Sequence, residues 1–172
     1  MFLLNLQEKA LPMMSRPFLT LVYREVWRFV VLYKQTIMPG IISTALYLII
    51  FGHALGSRIG LINNVEYIHF IIPGLTMMAV INQSYANSSS SIMQAKYLKF
   101  IEDYLIAPVS GFELSMSFII GAMFRGIING ILIIATCWVL TDFTIINYSL
   151  SLFFLIIVSC VFGAIGVIVG IV

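Results

Sequence analysis

Arg125 is the residue of this chain whose type and position most demand an explanation. It sits about twelve residues into a run from Leu114 to Thr141 that is otherwise free of charge, roughly 18 Å along a helix at 1.5 Å per residue. An arginine at the middle of an apolar span costs on the order of 2.5–3.5 kcal/mol on insertion scales and normally faces a polar interior. Asn129, one turn on, and the amides of Asn82 and Gln83 in another run are the candidate partners. Two readings stay open. In one the guanidinium fixes a path or an interface inside a helix bundle; in the other it snorkels from a span that lies deeper than drawn.

A second candidate is the stretch Ile92 to Ala107, which reads as a helix. Met93, Tyr97, Phe100, Ile101 and Tyr104 fall on one stripe, Lys96, Lys99 and Asp103 lie off it, and Pro108 closes it. A short amphipathic helix of this kind can seat in a groove on a partner, with Phe100 and Tyr104 as apolar contacts and Lys99, Glu102 and Asp103 as charged ones. Other chemistry is absent from the sequence. There is no GxxxxGK[ST] to cradle a nucleotide, no Ser/His/Asp set and no metal-spaced cluster. His53 and His69 are single residues that read as helix packing, and Cys137 and Cys160 as inert thiols inside apolar runs. Asn87-Ser88-Ser89 and Asn147-Tyr148-Ser149 match the glycosylation tripeptide weakly. Glu66, Glu113 and Asp142 mark span edges. With no titratable pair inside the runs, an enzyme embedded in the membrane is disfavoured.

The elements that must hold these residues follow from composition. Of 172 residues, 61% are hydrophobic and 9% charged, against about 25% charged in a soluble domain. A helix crosses the hydrocarbon core with about 20 mostly apolar residues. Runs without charge extend over 35–57, 67–95 and 143–172. They are continuous rather than alternating, which argues for helices and against a barrel. The expected architecture is all-α, a polytopic membrane bundle with spans over 36–55, 67–85, 112–140 and 150–172. Residues 1–17 read as loosely ordered, broken by Pro12 and Pro17, with no signal peptide.

Residues 18–34 read as an amphipathic helix lying in the membrane interface. Leu19, Val22, Val26, Phe29, Val30 and Tyr33 would form its apolar face, and Thr20, Arg24, Glu25 and Arg28 the other; a helix packed on a partner is the alternative. The N-terminal segment and the second connection together carry seven basic residues and the other two connections one, which places the N-terminus in the cytoplasm by the positive-inside rule. Gly121, Ala122, Gly126, Gly130, Gly163, Gly166 and Gly170 allow close helix approach or dimerisation. No basic run with interleaved aromatics suggests nucleic acid.

Several strings taken together resemble one family. They are YREVWRF, QTIMPGIISTALYLIIFGHALGSRIG, YIHFIIPGLTMMAVINQSYANSSSS, KYLKFIEDYLIAPVS and GAMFRGIINGILI, in this order. The chain is similar to the permease subunits of type-2 ABC exporters of the bacterial inner membrane. The resemblance implies six spans, an N-terminal connecting helix carrying Arg24, Glu25 and Arg28, and a cytoplasmic coupling helix over 92–107. That coupling region would hold Lys99, Phe100, Glu102, Asp103, Tyr104 and Pro108. It implies a homodimer with two separate ATPase subunits that bind ATP and magnesium, while this chain binds no cofactor and performs no covalent chemistry. An amphiphilic or glycosylated substrate would fit such an exporter. The sequence is shorter than the family, stopping at Val172 within an apolar run, so the expectation is a partial transmembrane domain truncated at its C-terminus. A four-span interaction protein and a nonfunctional permease fragment are the alternatives.

Overall fold

The computed structural model describes residues 2–59, 61–62, 65–106, 109–141, 145 and 147–172, with side chains described from residue 16 onward except at 52–59 and 105–106. In order these form α1 (Phe2–Val31), α2 (Tyr33–Ile59), a two-residue hairpin of β1 (Leu61–Ile62) and β2 (Val65–Glu66), α3 (Tyr67–Tyr97), α4 (Ile101–Ile106), α5 (Gly111–Thr141) and α6 (Tyr148–Ile171). The protein is an all-α membrane bundle. Among the described residues, three helices are long and apolar enough to cross a membrane, at Tyr33–Phe51, Gly111–Thr141 and Tyr148–Ile171. The fourth expected span lies in α3, 31 residues long but polar in its second half through Asn82, Gln83, Asn87 and Ser88–Ser91.

α3 is the central element, packed against α5 and α6, with α2 along its side and α1 against α5. Two apolar cores lie at opposite ends. One gathers Leu48, Ile72, Ile133 and Cys137, the other Ile92, Phe118 and Val167. Between them the helices meet through small residues. A methyl group placed on Gly126 would lie 2.1 Å from Ser84 Oγ and 2.7 Å from Ser159 Oγ; one on Gly166 would lie 2.6 Å from the Tyr85 carbonyl oxygen. The small-residue stripe therefore joins α3, α5 and α6 of one chain, as van der Waals packing in a bilayer favours.

Several expectations change. The region 67–107 is not a span followed by a separate helix at 92–107. α3 runs unbroken to Tyr97, because its hydroxyl and amide residues are buried by α5 and α6 and need no exit to water. It ends where Lys99 adopts a left-handed φ of 59°, with Leu98 N–H on the Gln94 carbonyl at 2.9 Å; only the six residues of α4 remain beyond it. Residues 2–17 are helical as part of α1, Pro12 and Pro17 included, since a proline costs a hydrogen bond without having to end a helix. That helix stops at Val31 rather than Lys34.

Its inward face also differs from the expected apolar one. Phe29 turns inward with half-buried Val22 and Val26, but Glu25 joins them from the expected polar face, and Leu19, Val30 and Tyr33 are exposed. Glu25 and Phe29 are buried, 4% exposed each, while Leu19, Tyr23, Trp27 and Val31 are more than half exposed. The reason lies in α5, where Gly121 leaves room for Glu25; a methyl there would sit 2.8 Å from Glu25 Cβ. Pro108 and Asp142 lie outside the described residues, as does the His53 side chain.

The element ends are capped as their residues dictate. Ser110 and Glu113 form a reciprocal box at the start of α5, with Ser110 N–H donating to Glu113 Oε2 at 2.9 Å and Glu113 N–H donating to Ser110 Oγ at 3.2 Å. Asn147 Oδ1 accepts from Leu150 N–H at 3.1 Å to start α6. His69 Nε2 meets the Thr141 carbonyl oxygen at 2.9 Å, tying the start of α3 to the end of α5. Cys160, expected inside, is exposed on α6.

Candidate functional site

The polar half of α3 holds the charged residues of two neighbouring helices. Asn87, 1% exposed, points its Oδ1 at both arginines, accepting from Arg28 Nη2 at 3.2 Å and from Arg125 Nη1 at 3.3 Å. Arg125 also donates from Nε at 3.0 Å and Nη2 at 2.7 Å to Gln83 Oε1. Gln83 Nε2 donates in turn to the Thr36 carbonyl of α2 at 3.2 Å. Arg28 reaches Gln94 Oε1 at 3.0 Å and the Asn87 carbonyl at 3.3 Å. Four helices thus share one hydrogen-bonded seam: α1 through Arg28, α2 through Thr36, α3 through Gln83, Asn87 and Gln94, and α5 through Arg125.

The carboxylate on this seam is Glu25. Its Oε2 accepts from Ser91 Oγ at 2.5 Å and lies 3.5 Å from Arg28 Nη2. A buried ionised carboxylate is tolerated only when paired and hydrogen-bonded, and Glu25 has both kinds of partner. Beside the seam lies a cleft of about 310 Å³ lined by residues that include Arg28, Gln35, Ser90, Gln94 and Arg125.

The partners expected for Arg125 divide. Gln83 bonds the guanidinium. Asn129 is buried but uses Nδ2 on the Arg125 carbonyl at 2.9 Å rather than meeting the charge. Asn82 lines a groove with Pro39, Ser43, Tyr47 and the far side of Gln83 rather than bonding the guanidinium. Asn87 was missed as a partner. It lies one helical turn beyond Gln83 on the same face, which is the signal that finds it. Its burial inside α3 also excludes it as a glycosylation acceptor.

The residues expected to meet a partner divide as well. Lys99, Phe100, Glu102 and Asp103 are exposed. Tyr104 turns inward, its ring edge-on to Phe118 at 6.2 Å, and Arg24 donates to its hydroxyl while the guanidinium lies 5.2 Å from the ring centroid. Burial raises the Tyr104 pKa above the ordinary 10.0, with Arg24 opposing the shift. Tyr104 therefore fastens α4 to α1 and α5, while Glu102 and Asp103 on α4 face outward.

The fold and the seam define a polytopic helical membrane protein whose charges are held between helices. Comparison with known proteins gives its family. The model of the ABC-2 type transporter family matches residues 16–172, and the chain belongs to that family. It is 36% identical over 148 residues to the inner membrane transport permease YadH of Escherichia coli K12, covering 86% of this chain and 58% of that protein. The YadH permease of Shigella flexneri matches at the same level. The chain thus spans 58% of the length of these relatives. No solved structure matches it.

Proposed function

We propose that this chain is the transmembrane subunit of an ABC exporter of the bacterial inner membrane, with its N-terminus in the cytoplasm. A separate ATPase would bind ATP and magnesium and supply the work, and this chain would carry out no covalent chemistry. The observation that carries the reading is the placement of α4. It is a short helix whose charged residues face outward while Tyr104 and Arg24 hold it against α1, which in turn meets Arg125 through Arg28 and Asn87. A push on α4 would therefore reach the middle of the bundle through a continuous chain of side chains. Family membership and the similarity to transport permeases support the same reading. A homodimer with two ATPase subunits would complete the assembly.

The test is a detergent pull-down of the tagged chain from its native membrane, followed by mass spectrometry and an ATPase assay. An ATPase subunit should be recovered, and replacing Glu102 and Asp103 together by alanine should lower its recovery on the order of tenfold. Arg125→Ala should insert normally and bind the ATPase but lose transport. Recovery of no nucleotide-binding subunit by an inserted wild-type chain would overturn the proposal; transport at the normal rate by Arg125→Ala would remove Arg125 from the mechanism.

A further inference from the structure

The charges on the seam do not balance. Two guanidinium groups, Arg28 and Arg125, bond the same amide oxygen of Asn87, and among the described residues the only carboxylate paired with either is Glu25, on Arg28. Among the described residues Arg125 meets only neutral amide oxygens. It lies fourteen residues beyond Gly111 in a helix of 31, near the middle of that helix. A guanidinium at that depth without a counter-charge is expensive, and such residues normally pair. Amide oxygens satisfy its N–H groups but leave the charge in place.

The surplus charge borders an open space. The 310 Å³ cleft is lined by both arginines together with Gln35, Ser90 and Gln94. From Gln94 to Asn87 it follows α3 for two turns, roughly 10 Å, so it leads from near the end of the helix toward its centre. The volume sits at the low end for small-molecule sites, enough for an anionic headgroup and too small for acyl chains. The face of α1 beside it is apolar and exposed, with Trp27 at 55% and Val31 at 62%, a surface along which chains in the bilayer can lie.

We infer that the cleft between α1 and α3 binds a monoanionic oxyanion, a phosphodiester or carboxylate, carried by an amphiphile whose apolar part stays against α1. Arg125 supplies the charge that draws the group inward, Arg28 marks its entrance, and the Gln94 side-chain amide offers a hydrogen-bond donor along the way, while Ser90, whose hydroxyl donates to the Asn87 carbonyl, lines the wall. The oxyanion could be the headgroup of a resident acidic lipid or of a transported amphiphile. The chemistry is the same and does not depend on coupling to an ATPase.

The experiment is the thermal midpoint of the purified full chain in neutral detergent, with added phosphatidylglycerol, phosphatidylcholine or inorganic phosphate. A ligand at about ten times its Kd should raise the midpoint on the order of 3–6 °C. Phosphatidylglycerol should do so and phosphatidylcholine should not. Two variants should abolish the rise: Arg125→Gln, which removes the charge, and Ser90→Phe, which fills the cleft with both arginines retained. An additional rise with inorganic phosphate, lost in the same variants, would support the site and show that the oxyanion suffices; a rise with the lipid alone would support it and require the tail. No rise in the wild-type chain, an equal rise with both lipids, or a rise that survives in either folded variant would overturn the inference.

Discussion

The two halves of α3 face their surroundings in opposite ways. From Tyr67 to Val80 the sequence is largely apolar, yet Phe70 and Met78 are more than half exposed and only Ile72, Thr76 and Val80 are buried. From Ile81 to Tyr97 it is rich in hydroxyls and amides, and there Ser84, Asn87, Ser88 and Ser91 are buried beside Ile92 and Ala95. A soluble helix would hide the first half and wet the second. In lipid the apolar face needs no shelter, because the surroundings are as apolar as leucine, and helices associate through close packing and hydrogen bonds. The polar half is thus the structural centre, and the apolar half is the less demanding one.

The strongest way to break this contrast is to separate the helices around the polar half. Gly166→Ala places a methyl 2.6 Å from a backbone carbonyl that cannot rotate away. It should cost on the order of 1–3 kcal/mol, seen as a lower thermal midpoint in detergent.

Next in size is the buried carboxylate. Glu25→Ala removes the partner of both Ser91 and Arg28 and should cost about 2 kcal/mol, since bonds to charged groups run to about 1.5–3 kcal/mol and the partial exposure of Arg28 tempers the ion pair. Glu25→Gln keeps an oxygen for Ser91 and should lose clearly less. Equal losses for the two variants would show that the charge contributes nothing.

A smaller effect is expected where α4 is fastened. Tyr104→Phe removes the bond from Arg24 and should cost about 0.5–1.5 kcal/mol, read as faster tryptic cleavage after Lys99 with little change in the midpoint. Spectrophotometric titration, taken as the difference between the wild type and Tyr104→Phe, should place ionisation above pH 10.0. Because the folded pKa is raised, the contribution of the neutral hydroxyl is fully present below the ordinary value and is lost as pH rises through the higher one. Arg24→Gln should move the ionisation further up, since Arg24 opposes the shift.

The smallest effect belongs to the apolar half. A methyl on Gly74 would meet nothing within 4 Å, so Gly74→Ala should be neutral or stabilising by up to about 1 kcal/mol through helix propensity. A loss there as large as that at Gly166 would remove the contrast between the halves.

Arg125 was legible as a charge within a span, with its position leaving open whether it faced the bundle or snorkelled, and Gln83 was one of three candidate partners, of which it alone bonds the guanidinium. The convergence of Arg28 on the same Asn87 oxygen was not. Arg28 belongs to a helix read as interfacial with its charged side away from the bundle, and a segment with apolar residues on nearly every face gives periodicity little to discriminate. The length of α3 was hidden for a related reason. The run Asn82 to Ser91 looks like a helix leaving the membrane unless α5 and α6 are known to cover it. Tyr104 and Phe100 share a stripe in sequence, and both rings lie against Arg24, at 5.2 and 5.9 Å, but only Tyr104 reaches Phe118 on α5, a contact no local pattern records.

The sequence by itself determined that this is an α-helical membrane protein of several spans with one charge near the middle of a span. Those properties depend on the transfer of contiguous side chains out of water, which composition and run length report directly. Only the tertiary structure decided which faces turn inward, that Glu25 lies against Gly121, and that two arginines converge on Asn87. These depend on where small residues let backbones approach and on polar pairs between helices far apart in the chain, and no local pattern records which helix will be the neighbour.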